Sequence, residues 1–178
     1  IDLEKGLYNC HNCGWKGNVK VKERKEYTVP VQSKAEIGVK MLKYFTDRGI
    51  SESTVANWKI TQSREYFGSA GKKLTAINFN YYQDGEIVNI KYRSGGKDFK
   101  LVSGAKLIFY GLDNIKDSDR AYIVEGEFDA LSVNEAGIYS VVSVPNGASK
   151  GSQRLEYLDN SHEYFKDKKE IIIATDND

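Results

Sequence analysis

Arg120-Ala121-Tyr122-Ile123-Val124-Glu125-Gly126-Glu127-Phe128-Asp129-Ala130-Leu131 is the stretch on which the fold turns. Ala121 to Val124 is an apolar run that stops abruptly at Glu125-Gly126. Residues 127–136 then read as a helix, with Leu131 three after Phe128 and Val133 three after Ala130. A second apolar strand covers Tyr139 to Val144 and is stopped by Pro145-Asn146-Gly147. The helix expected over 152–165 carries Leu155, Leu158, His162 and Phe165 on one stripe. A third strand, Ile171-Ile172-Ile173-Ala174, ends at Thr175-Asp176-Asn177-Asp178. Strand, helix, strand, helix, strand predicts a parallel sheet. Right-handed crossovers place its three strand ends on one edge.

That edge carries acids. Ligands of open parallel sheets bind outside the carboxyl ends of the strands. The first strand delivers Glu125 there, and the third delivers Asp176 and Asp178. In a 2-1-3 strand order these two strands are neighbours, with ends about 5 Å apart. Asp129 lies one helical turn beyond Glu125 and can point the same way. Carboxylates so crowded repel one another unless a cation neutralises them, and an oxygen-rich cluster suits Mg²⁺. The plainer reading of an acid after a strand is a turn or cap residue, and Glu127 is read that way, in the first turn of its helix.

Charge is distributed unevenly. The 178 residues hold 26 Lys/Arg and 25 Asp/Glu, a net +1. Residues 1–106 hold 19 Lys/Arg against 11 Asp/Glu, and residues 107–178 hold 7 against 14. A basic half suits a polyanion and an acidic half suits a divalent metal. No apolar run reaches the roughly 20 residues of a membrane helix, so no membrane partner is expected. Two cysteines cannot build a disulfide scaffold. Residue 1 is Ile and the only Met is Met41, as expected for a piece of a longer protein.

The basic half contains a β-rich middle. Ile77, Phe79 and Tyr81 alternate with Asn78, Asn80 and Tyr82; Asp84-Gly85 marks a hairpin; Val88, Ile90 and Tyr92 then alternate with Asn89, Lys91 and Arg93. Val88, Ile90 and Tyr92 are expected in the core, which leaves Lys91 and Arg93 together on the opposite face. Across the Gly95-Gly96 turn, Lys97 and Lys100 can approach the same surface. Such a face suits nucleotide phosphates or a nucleic-acid backbone; the alternative is a solvated strand whose lysines blunt an edge. Ahead of it, residues 26–33 read as a linker and 34–47 as a helix with Ile37, Met41 and Phe45 at spacing four. Ser51 to Thr54 can cap a short helix through about Asn57. Cys10-His11-Asn12-Cys13 is half a zinc site, a redox pair or two incidental thiols. The zinc reading needs a second ligand pair, and the first 25 residues are expected to be poorly ordered without it.

Taken in order, these motifs resemble the Toprim primases of the phage primase–helicase and Twinkle-like type. Ile123 to Leu131 resembles the first Toprim signature, and Ile173 to Asp178 its Asp-x-Asp signature. Val142 to Ser149 resembles the intervening motif. Tyr81 through Lys100 resembles the basic N-terminal subdomain, and Cys10 to Trp15 the second half of the zinc ribbon. The resemblance implies an α+β N-terminal subdomain with a basic antiparallel sheet, followed by an α/β Toprim domain whose parallel sheet is truncated at its C-terminal end. Its divisions are a partial zinc ribbon at 1–25, a linker at 26–33, a basic subdomain at 34–119 and an incomplete Toprim domain at 120–178.

The implied activity is DNA-templated RNA primer synthesis by Mg-dependent nucleotidyl transfer. By matching positions, Glu125, Asp176 and Asp178 are the catalytic acids, and with Asp129 they hold Mg²⁺ or Mn²⁺. Lys91, Arg93, Lys97, Lys100, Asn146 and Gly147 contact nucleotide and template. Cys10 and Cys13 supply half of a Zn²⁺ site completed elsewhere in the parent. The implied partners are single-stranded DNA, nucleoside triphosphates and a replicative helicase domain, in the cytoplasm of a bacterial or phage-infected cell or in an organellar matrix. Two other classes stay open: a non-catalytic DNA-binding arm of a helicase, and a Toprim nuclease or topoisomerase-like enzyme.

Overall fold

The computed structural model describes residues 7–18, 25–33, 35–96, 98–146 and 155–176. Lys97, Gly147 and Asp178 therefore lie outside the described residues. At the N-terminus, β1 (Leu7–Asn9) and β2 (Lys16–Asn18) pair antiparallel around the cysteine turn. The turn is closed by Cys10 N–H to the Trp15 carbonyl at 2.7 Å and Gly14 N–H to the Cys10 carbonyl at 2.9 Å. Half of the predicted ribbon thus forms a regular hairpin, with Tyr8 and Trp15 in ring contact at 4.7 Å.

Ser33 and residues 35–38 form no helical turn, contrary to the expected helix start. They are held along a strand edge: Ser33 Oγ donates to the Gln62 carbonyl at 2.8 Å, and Gly38 N–H donates to Gln62 Oε1 at 2.9 Å. The helix itself, α1, is Val39–Thr46. It is followed by α2 (Glu52–Asn57), capped as predicted by Ser51, whose Oγ accepts from Thr54 N–H. The antiparallel sheet has the order β3 (Thr61–Phe67), β4 (Lys72–Gln83), β5 (Glu86–Ser94) and β6 (Phe99–Leu101). Strand β3 has no apolar alternation to announce it, because it is an edge strand carrying polar residues on both faces.

In the second unit, β7 (Arg120–Val124) lies between β8 (Val141–Ser143) and β9 (Glu170–Ile173), all parallel. This is a 2-1-3 order, the arrangement that makes the first and third strands neighbours. Helices α3 (Glu127–Glu135) and α4 (Glu156–Phe165) complete the unit. The α4 stripe is one residue away from the expected one. Leu155, Leu158 and His162 are exposed, while Ser161 is fully buried. The packing partner is Phe109, whose ring meets Tyr157 at 4.8 Å and Phe165 at 5.1 Å and whose N–H donates to Ser161 Oγ at 3.4 Å. No described helix is long and apolar enough to cross a membrane.

One core spans both sheets. Phe45, Trp58, Phe79 and Tyr81 from the first half pack with Tyr110, Val124, Leu131 and Val141. Phe128 of α3 stacks on Phe45 at 5.3 Å, and Tyr110 lies within 5.0 Å of Trp58 while bridging Ser143 of β8 by paired backbone bonds. Gly111 makes this approach possible. Its φ is +76°, and a Cβ there would lie 2.7 Å from Trp58 and 3.0 Å from the Val141 carbonyl. Gly111→Ala should therefore destabilise the chain by about 3 kcal/mol, left-handed strain and overpacking together. Chemical denaturation would check this, and an unchanged midpoint would contradict it.

Candidate active site

The acidic edge forms as the strand order requires. Ile123 and Ile173 are register partners on β7 and β9. Glu125 and Asp176 leave those strands side by side, and Asp176 N–H donates to Glu125 Oε1 at 3.3 Å. Asp129 is used locally. Its Oδ2 accepts from Gly126 N–H at 2.9 Å, a reach back from the third helical position to the cap. A Cβ at residue 126 would meet that oxygen at 3.0 Å, which favours glycine there. The described residues contain no group of three or more His, Cys, Asp or Glu arranged to hold a metal ion. Glu125 and Asp176 are neighbours at this strand-end edge, and carboxylate oxygens are the donor type that a hard divalent ion takes.

Facing this edge is the antiparallel sheet, and its polarity differs from the expected one. Lys91 pairs in register with Phe79, Arg93 with Ile77, and Phe99 with Arg93. Directly opposed residues share a face. Lys91 and Arg93 therefore share the face of Phe79 and Tyr81, which turns toward the parallel unit; they do not lie on a separate outer face. Strand β4 is buried continuously from Ala76 to Tyr81, on both faces, so alternation alone does not tell inside from outside. Lys100 pairs with Tyr92 and lies on the other face. Its ammonium meets Glu65 Oε2 at 2.9 Å, apart from the Lys91 and Arg93 charges, while the residue still borders the same groove as they do.

Between the acids and the cations lies a groove of about 670 Å³, bordered by Lys91, Arg93, Phe99, Glu125, Asp129 and Asn146 among others. Glu127 stands in the first turn of α3 as expected, and in addition it is 4% exposed and lines this groove. Its Oε1 accepts from the Tyr81 hydroxyl at 2.6 Å and from Lys91 Nζ at 2.8 Å, and its Oε2 from Lys91 Nζ at 3.0 Å. Lys91 Nζ also donates to the Pro145 carbonyl at 2.9 Å. One ammonium thus ties β5, α3 and the segment after β8 together. Burial, with the neighbouring Glu127 charge and hydrogen bond, pushes the Tyr81 hydroxyl well above its ordinary pKa, so it remains a donor. No local pattern announced this pair: its members are 36 residues apart and each had an adequate local explanation.

Arg93 is held differently. Its guanidinium lies 5.0 Å from the Phe99 ring centre and 4.9 Å from that of Phe128, with Nη2 at 3.4 Å from the Tyr44 hydroxyl. Among the described residues it has no carboxylate partner, so its charge remains available to the groove. At the N-terminal hairpin, hydrogen bonds from the Cys13 backbone and side chain hold the Cys10 thiol below its ordinary pKa. That favours the thiolate a metal would take.

Residues 119–178 match the Toprim domain family. Over 99% of its length the chain is similar, at 33% identity, to the Twinkle homolog protein, chloroplastic/mitochondrial, of Arabidopsis thaliana, of which it spans 28%. It is 36% identical, over 76% of its length, to the primase homolog protein of the same plant, of which it spans 42%. Among solved structures, the primase fragment of the bacteriophage T7 primase-helicase protein shares the fold with a TM-score of 0.61 at 23% identity, over 98% of this chain and 73% of that one. The chain thus spans less than half of either plant relative. Its parallel unit is a Toprim domain, and the chain as a whole is similar to Toprim-containing primases of the phage primase–helicase and Twinkle-like type.

Proposed function

We propose that this chain is the primer-synthesising region of a longer replication protein, joining ribonucleotides on a single-stranded DNA template. The observation that carries the reading is that Glu125, which accepts from Asp176 N–H, borders one groove together with Arg93, whose guanidinium has no carboxylate partner among the described residues. A triphosphate laid between them would meet a cation on one wall and, on the other, carboxylates suited to Mg²⁺ or Mn²⁺. Glu125, Asp176 and Asp178 would hold the ion, with Asp129 assisting beyond its cap. When bound, the ion supplies charge neutralisation for the triphosphate and lowers the pKa of the attacking hydroxyl.

In the transfer, the primer 3′-oxygen forms a bond to the α-phosphorus of the incoming nucleotide. The bond from that phosphorus to the pyrophosphate oxygen breaks, and the hydroxyl proton leaves to a base. Glu125 serves either as that base or as an ion ligand. Arg93, Lys97, Asn146 and Gly147 would orient phosphates and template. Lys91 would do so from its place beside Glu127, and Lys100 from the groove border through contacts outside the shared face. Cys10 and Cys13 would supply half of a Zn²⁺ site, completed by a ligand pair elsewhere in the parent. A helicase domain, fused or associated, would be the partner, in a bacterial or phage-infected cytoplasm or in an organellar matrix.

The test is an assay of the full-length protein with single-stranded DNA, nucleoside triphosphates and Mg²⁺. Short RNA products are expected, and they should vanish on chelation. A second reading, a DNA-binding arm without catalysis, draws on the internal engagement of all three Lys91 contacts. Retained single-stranded DNA binding with no nucleotide incorporation would favour it.

A further inference from the structure

We infer that Phe99 is a stacking platform for a nucleobase in the groove, an inference that rests on the proposed primase reading. Phe99 belongs to the three-residue strand β6 and shares a face with Arg93, its register partner. The other rings of that face, Phe79 and Tyr81, are fully buried, whereas Phe99 is 50% exposed. It borders the same groove as Glu125.

Its setting is unusual for a surface phenylalanine. Lys91 Nζ lies 5.2 Å and the Arg93 guanidinium 5.0 Å from its ring centre, and Phe128 backs the guanidinium at 4.9 Å. The guanidinium thus lies near both rings, and Phe99, half exposed, borders the groove. Cations attracted to an aromatic ring fix its orientation. A half-exposed ring beside the Arg93 guanidinium, which has no carboxylate partner among the described residues, matches what a nucleotide presents: a flat base joined to phosphates. Base–aromatic stacking contributes about 1–3 kcal/mol per base and tolerates any base identity. A base on Phe99 would leave its phosphates beside Arg93 and its sugar toward the carboxylate edge. The base can come from the incoming nucleotide or from the template strand.

The full chain, with Phe99→Leu and Phe99→Trp variants, distinguishes these. Three ligands are titrated separately: ATP, a short fluorescein-labelled oligothymidylate, and inorganic tripolyphosphate. Phe99→Leu should weaken whichever base-bearing ligand stacks by about five- to 150-fold, and Phe99→Trp should retain wild-type affinity. Loss for ATP alone assigns the platform to the incoming nucleotide, and loss for the oligonucleotide alone assigns it to the template. Tripolyphosphate affinity should not change. Equal weakening of tripolyphosphate would mean that the ring acts only by placing Arg93, which overturns stacking. So would Phe99→Leu binding all three ligands like wild type, while the wild-type protein makes primers. A wild-type protein that binds neither ATP nor the oligonucleotide would remove the primase reading along with this one.

Discussion

Glu125→Gln in the full-length protein should lower primer synthesis by about 10²- to 10⁴-fold, the range for losing a positioned acid–base group. Its effect on melting temperature should be small. The substitution is isosteric and retains an oxygen to accept the Asp176 N–H, so the local contact between β7 and β9 survives. What disappears is the negative charge on the strand-end edge. Asp176→Asn should act in the same direction, and the double variant should fall short of the product of the two losses, because residues serving one centre act as a unit. The pH dependence separates the two roles of Glu125. As a base, its removal abolishes the acid limb of the rate profile; as a ligand, its removal raises the Mg²⁺ concentration required and leaves the limb in place. Primer yield unaltered by Glu125→Gln would contradict the mechanism.

Glu127→Ala should be the most destabilising substitution in the groove. It strands the Lys91 ammonium, whose side chain is only 12% exposed, and removes the acceptor of the Tyr81 hydroxyl. Breaking a buried ion pair from one side costs about 3–5 kcal/mol, and the residual solvent access of Lys91 places this case near about 3 kcal/mol. For a chain of this length that corresponds to a fall in melting temperature of roughly 6–12 °C. The double variant Glu127→Leu/Lys91→Met should recover much of the loss, since a buried pair and a well-packed apolar pair differ little in stability. It should not recover nucleotide binding if the ammonium contributes to the groove. A Glu127→Ala variant melting with wild type would show that the pair is an incidental contact.

These two carboxylates also show what could be read from the chain. Glu125 and Asp176 were legible because each follows an apolar strand, and the parallel order of three such strands leaves few places for their ends. Glu127 was not legible. A carboxylate in a first helical turn has a sufficient local reason to be there, and its real partner comes from a strand in the other half of the chain. The cationic face was half legible. Two-residue spacing correctly placed Lys91 with Arg93, but the face they share is set by what covers the sheet. In a strand buried on both sides, hydrophobic alternation carries no such information. Likewise β3 escaped notice because its polar residues are paired across the sheet, with Glu65 bonded to Lys100. The stripe of α4 was misplaced by one residue because the small Ser161 was passed over for larger neighbours.

The aromatic seam running from Phe45 through Phe128 to Tyr110 has a mechanical consequence. Closely packed interiors are bistable or stiff and do not bend gradually, so the two jaws of this cleft are welded rather than hinged. Its width is preset before any substrate arrives. On the proposed primase reading, a template would then advance by sliding through a fixed gauge and not by a closing and reopening of the cleft.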